Sequence, residues 1–262
     1  MGGREYGARM GLFDIFKGKQ KPTAGGSERP KATKANKEVA RYAESMNKRA
    51  QNYDRQEAIE MLGKSESPEA AAGLLKRFTF VIEPSITDQE EKESAFRGIV
   101  GIGEEALQPI RDFCVRAEGL TWPLRMMREL LDEERYVSEV LLLLAKWDTE
   151  YDRNPDPKVQ LLATLEEHKD ERVAAAVERF LDDFHEPTRF HAVSTLLAQD
   201  DSSMAGPLAR ALVKEEAVRT QNRIAEGLAA RGWAIPEPER ATIAGKLPRG
   251  FTIDPEGVVR RR

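Results

Sequence analysis

The sequence predicts an all-α solenoid of about five or six antiparallel helix pairs with a small C-terminal β-hairpin. Three observations predict it. A helix-turn-helix unit recurs with irregular length, clearest over 54–78, 92–117 and 187–212. Each helix in it carries a single apolar stripe at spacings of three and four, which must be buried against another helix. A two-helix unit cannot bury both of its stripes alone, so neighbouring units must stack. The last residues then change period, from helical to alternating.

Taken in order, residues 1–36 form a basic, polar segment expected to be a flexible tether. It holds one apolar cluster, Leu12, Phe13, Ile15 and Phe16, beside Lys17, Lys19 and Lys21. That pattern suits weak contact with an anionic membrane or docking in a groove. The folded body, 37–247, opens with a helix whose Val39, Tyr42, Ala43 and Met46 share one face. Helices follow near 54–63 and 68–81, with Arg55, Ala58, Ile59 and Leu62 leading to Gly63 and with Pro68 opening the second helix. The next pair, near 89–101 and 104–117, turns at Gly101 and Gly103 and places Cys114 on a core stripe. Thr121 is suited to cap a helix with Trp122 and Pro123 in its first turn. Val137, Val140, Leu141 and Leu144 mark its partner, and the run Val140 to Ala145 reads as the most central helix.

A polar surface loop spans Asp148 to Pro157. Beyond it come Val159, Leu162 and Leu165, then the periodic stripe Val173, Ala176, Val177, Phe180 and Phe184. Further helices fit 187–199, 204–214, 217–231 and 237–246. In the last segment, 248–262, Phe251 to Ile253 and Val258 to Val259 are expected to pair around an Asp-Pro-Glu-Gly turn.

Composition narrows the function. Through Lys37 there are nine basic side chains against three acidic ones, so the formal charge of −4 leaves about −10 on the remainder. An acidic body disfavours sequence-independent nucleic-acid binding. One cysteine permits no internal disulfide and suits a cytoplasmic setting, and the apolar N-terminal cluster leaves room for a peripheral association with the inner membrane. No apolar run approaches the length of a membrane span.

No catalytic, cofactor or metal residues are assigned. His185 and His191 are six apart, unlike a helical zinc pair, and Asp182, Asp183 and Glu186 read as ordinary acids at a helix end. Gly98, Gly101 and Gly103 lack the lysine and hydroxyl of a nucleotide loop.

The repeated features resemble HEAT repeats, and more closely the short bacterial HEAT-like repeats also found in phycocyanobilin lyase-type proteins. They are Arg55 with Ala58 and Leu62, Gly63 before Pro68-Glu69-Ala70, Gly103 before Ala106 and Pro109, and Arg189 with Ala192 and Leu196. The resemblance covers 37–247, with departures at Asn222 and in the stripe from Leu141 to Leu144. It implies a non-enzymatic scaffold or adaptor that binds a protein or peptide through the second helices of successive pairs. Arg77, Arg111, Arg135, Arg179 and Arg210 fall on those helices, and their guanidinium groups suit carboxylate or phosphate partners. The same resemblance admits an alternative, a DNA-lesion-processing enzyme drawing on Trp122, Trp147, Trp233 and Asp148, or a chromophore-lyase-like protein. No complete signature for either chemistry is present.

Overall fold

The computed structural model describes residues 34–262. The apolar cluster Leu12, Phe13, Ile15 and Phe16, and the tether that holds it, lie outside the described residues. Thirteen α-helices and one hairpin follow in order: α1 (Lys34–Ser45), α2 (Asn52–Gly63), α3 (Pro68–Leu75), α4 (Ser85–Ile102), α5 (Leu107–Cys114), α6 (Thr121–Leu130), α7 (Glu133–Leu144), α8 (Asp156–Glu166), α9 (Glu171–Val177), α10 (Glu186–Gln199), α11 (Ala205–Lys214), α12 (Val218–Arg231), α13 (Glu237–Ala244), β1 (Phe251–Ile253) and β2 (Val259–Arg261). The fold is all-α and solenoid-like. Even-numbered helices pack on one another, α2 on α4, α4 on α6, α8 on α10 and α10 on α12. Odd-numbered helices do the same where α1 meets α3, α3 meets α5 and α11 meets α13. The two rows enclose a continuous core running from Met46 and Leu62 through Ile110, Leu143 and Leu165 to Leu228 and Val259.

Local chemistry explains where the helices start and stop. Ser67 caps α3 by accepting from the Ala70 N–H at 3.2 Å, and Asp132 and Asp170 cap α7 and α9 in the same way. Pro68, Pro157, Pro187 and Pro238 occupy first turns, where no amide hydrogen is needed. Thr121 is the first helical residue of α6 and not its cap; Leu120 holds that position without a side-chain bond. The α2 and α4 backbones meet closely at two glycines. A Cβ on Gly98 would lie 3.3 Å from the Gly63 Cα and 3.0 Å from Leu74 Cδ1.

Two odd helices end in a 3₁₀ turn, Lys76–Thr79 after α3 and Glu178–Asp182 after α9. The tighter winding advances side chains by about 20° more per residue than an α-helix. Extrapolating an α-helical stripe through such a turn therefore fails. Phe184, expected on the core stripe, is 62% exposed; in α7, away from such a turn, Leu142 is exposed and lies off the stripe of Val137, Val140, Leu141 and Leu144.

The hairpin forms as expected, with Phe251 opposite Arg261 and Ile253 opposite Val259. Asp254 holds its turn, accepting from the Val258 N–H at 2.8 Å, while Gly257 adopts a left-handed φ of 87°. Val259 is fully buried, β2 packs on α12 and β1 on α13, so the hairpin shields the end of the core.

Candidate protein-interaction surface

Four of the five arginines predicted as partner contacts are engaged in ties between helices. Arg111 on α5 donates to Glu139 on α7, with Nε 2.7 Å from Oε2. Arg135 on α7 reaches back to Glu104 at 2.6 Å. Arg179 donates to the carbonyls of Leu144 and Trp147 at 3.1 and 2.8 Å, satisfying the C-terminal end of α7. Arg210 on α11 bridges Glu178 and, at 3.0 Å, Glu239 on α13. The side chains of Arg135 and Arg210 remain about half exposed, so the tie and the surface coexist.

Arg77 is elsewhere entirely: it is fully buried, which removes it from any partner surface. Its Nε lies 2.6 Å from Glu91 Oε2 and its Nη2 lies 2.8 Å from Asp88 Oδ1. Glu91 also receives Arg55 at 3.0 Å, and Asp88 receives Lys92 at 2.6 Å and the Ile82 N–H at 3.0 Å. Burial raises the Asp88 pKa, but the bonds from Lys92, Arg77 and Ile82 outweigh it and hold the carboxyl at about 2. The cluster welds α2, the 3₁₀ turn after α3, and α4.

A second buried pair fixes the polar loop between α7 and α8. Lys158 Nζ lies 2.7 Å from Asp183 Oδ2, both side chains being essentially inaccessible. The same ammonium donates to the Asp148 and Glu150 carbonyls at 3.3 and 3.5 Å. Asp183 is therefore a structural counter-ion and not the surface acid that its helix-end position suggested. Next to it, Arg189 pairs with Glu215 at 2.8 Å and donates to the Asp183 and Phe184 carbonyls at 2.9 and 3.2 Å. Burial raises the Glu215 pKa, yet the Arg189 bond and the Ala217 and Glu216 amides bring it below the ordinary range.

Apolar side chains mark part of the outside. Tyr53, Val81, Ile86, Val115, Leu142, Tyr151, Phe184 and Val218 are the exposed large apolar residues among those described. Every one lies in, or within a turn of, a connection from an odd helix to the following even helix. None falls at the opposite turns, from even to odd. Because neighbouring even helices run parallel, as Arg55 to Glu91 and Gly63 to Gly98 require for α2 and α4, Thr195 and Gln199 to the Leu162 and Leu165 carbonyls for α8 and α10, and Arg219 to Glu186 with Arg223 to Ser194 for α10 and α12, these connections share one edge.

A groove of about 1190 Å³ between α2 and α4 opens beside that edge at Ile86, lined by Ile59, Glu60, Lys64, Glu90 and Arg97 among others. The spacing of apolar residues gave no signal for the edge, because single exposed residues carry no period.

Trp122 packs against Phe78 and Phe96 with centroids 5.1 and 6.0 Å away, and Trp233 is buried, so neither offers an open stacking face. Cys114 is fully buried, and burial pushes its thiol up to about 12, as a core role requires. Among the described residues no cluster of three potential metal ligands occurs, and no helix is long and apolar enough to cross a membrane. No family model, curated protein or solved structure matches this chain.

Proposed function

We propose that this chain is a non-enzymatic protein-binding scaffold, a HEAT-like array of six consecutive pairs from α2/α3 to α12/α13 preceded by α1. The observation that carries the reading is the gathering, among the described residues, of the exposed large apolar side chains onto one edge. A surface without a partner gains nothing from lining up apolar groups, whereas a chain of anchors spaced along a repeat array spreads binding over many modest contacts. The docking surface in this reading is the edge of odd-to-even connections together with the adjoining α2/α4 groove. The arginine ladder on the odd helices stiffens the array behind it.

The test compares captured partners of the intact protein, a triple edge variant (Tyr53→Ser, Ile86→Ser, Val218→Ser) and Arg210→Ala. Loss of partners from the edge variant with retention by Arg210→Ala is the expected result. The reverse pattern places recognition on the odd-helix face and overturns the edge assignment, as does an unchanged partner set in both variants; capture of no partner by the intact protein overturns the scaffold reading.

A further inference from the structure

One stretch of the edge differs in kind from the rest. Tyr151 and Phe184 are 66% and 62% exposed, yet they stand edge to face with centroids 5.2 Å apart, and both lie beside the His185 ring at 5.4 and 5.3 Å. Two large rings left in water are costly, and these are held in place. Lys158 anchors the loop from beneath, the Phe184 N–H donates to the Thr149 carbonyl at 2.9 Å, and the His185 N–H donates to Asp183 Oδ1 at 2.8 Å. A rigid aromatic pair loses little entropy when a ligand settles on it, the property that marks interface anchors.

Charge says what would settle there. Between Asp148 and Pro157 the loop carries Asp148, Glu150, Asp152 and Asp156 against Arg153. Lys158 is turned inward, Arg189 is committed to Glu215, Lys214 is paired with Asp182 at 2.8 Å, and exposed Lys146 lies just before the loop. Elsewhere the chain lays its own guanidinium groups over its rings, as with Arg125 over Phe96 and Arg219 over Phe190, each at 4.2 Å. Among the described residues, no cation lies over Tyr151 or Phe184.

We propose that the Tyr151–Phe184 platform binds an arginine- or lysine-bearing segment of a partner protein, with a cationic side chain over the ring faces and the loop carboxylates around it. The inference rests on the scaffold reading in taking the ligand to be a polypeptide.

The probe is a dye-labelled peptide of about ten residues alternating arginine with serine, titrated against the full chain by fluorescence anisotropy beside a counterpart with glutamate in place of arginine. The arginine peptide binds and the glutamate peptide does not. Phe184→Ala and Tyr151→Ala each weaken binding by about tenfold, the scale of a cation–ring contact at a preorganised site, while Phe184→Tyr retains it. Unfolding midpoints of these variants stay at the parent value, since the rings are exposed. Affinity falls as salt rises.

Equal binding by parent and Phe184→Ala, or equal binding of the glutamate peptide, overturns the proposal. So does concentration-dependent self-association lost on Phe184→Ala without peptide binding, which would assign the platform to a second copy. The triple edge variant leaves both rings in place, so a failure here and a failure of the scaffold reading give different results.

Discussion

The junction between α3 and α4 and the junction between α9 and α10 solve the same problem in two ways. Each is a connection from an odd helix to an even one, each follows a 3₁₀ turn, and each buries charge. At the first, Arg55, Arg77, Glu91, Asp88 and Lys92 form a network in which every carboxylate meets two cations. At the second, Lys158 faces Asp183 and fills its remaining donors with backbone carbonyls. The first ties three elements and leaves aliphatic Val81 and Ile86 outside; the second pins a loop and leaves two aromatic rings outside. A shared topology thus yields a weld in one place and a platform in the other: the first cluster joins three cations around two carboxylates, whereas the second rests on a single carboxylate and two loop carbonyls.

The comparison breaks most violently at Arg77. Replacing it with alanine leaves Glu91 with Arg55 alone and Asp88 with Lys92 and the Ile82 N–H, and takes from the Phe80 carbonyl the donor it has at 3.1 Å. The expected loss is about 3–5 kcal/mol, the range for removing one partner of a buried ion pair. Chemical denaturation of Arg77→Ala checks it, and a loss below about 1 kcal/mol would mean that the network behaves as an exposed one.

Lys158→Met should cost less, about 3 kcal/mol, because it breaks one buried ion pair where Arg77→Ala breaks two. Removing both charges, as Lys158→Met with Asp183→Leu, should recover most of the stability. It should still release the loop, because the Asp148 and Glu150 carbonyls lose their donor. Amide exchange over 148–152 reads that release separately from global unfolding.

These junctions are also where the sequence was hardest to read. Periodicity was enough for the helix pairs, the leading helix and the terminal hairpin, since apolar spacing reports directly on which face is buried. Arg77 and Phe184 were misplaced for one physical reason: both sit in or just beyond a 3₁₀ turn, where the phase of the preceding α-helix no longer holds. Lys158, Asp183 and Glu91 look like surface charges because burial of an ion is set by its partners, and those are 25 and 36 residues away for Lys158–Asp183 and Arg55–Glu91. The aromatic platform joins two loops by the same kind of distant contact, and neither loop alone announces it.

A smaller effect separates the junctions by pH. Asp88 is held at about 2 against an ordinary value of 3.8. A depressed folded-state pKa contributes stability that is complete above the unfolded value and lost as the pH falls through the folded one. The first junction therefore loses about 2 kcal/mol between roughly pH 4 and pH 2. Asp88→Asn should be less stable near neutrality and flatter over that acid window. A variant as acid-sensitive as the parent would shift the effect to other depressed carboxyls such as Glu215, in the connection from α11 to α12.

The smallest change is expected at the exposed lateral ties, and it bounds the whole comparison. Arg135 and Glu104 are bonded at 2.6 Å, a shorter contact than Lys158 makes with Asp183, yet their side chains are 49% and 68% exposed. Water already solvates both groups when they separate, and holding two long side chains together costs conformational entropy. Arg135→Ala should therefore leave the unfolding midpoint unchanged within error, at low salt and at high. If it instead approached the Lys158→Met deficit, distance and not burial would be the quantity that ranks these ion pairs, and the contrast between weld and platform would lose its physical basis.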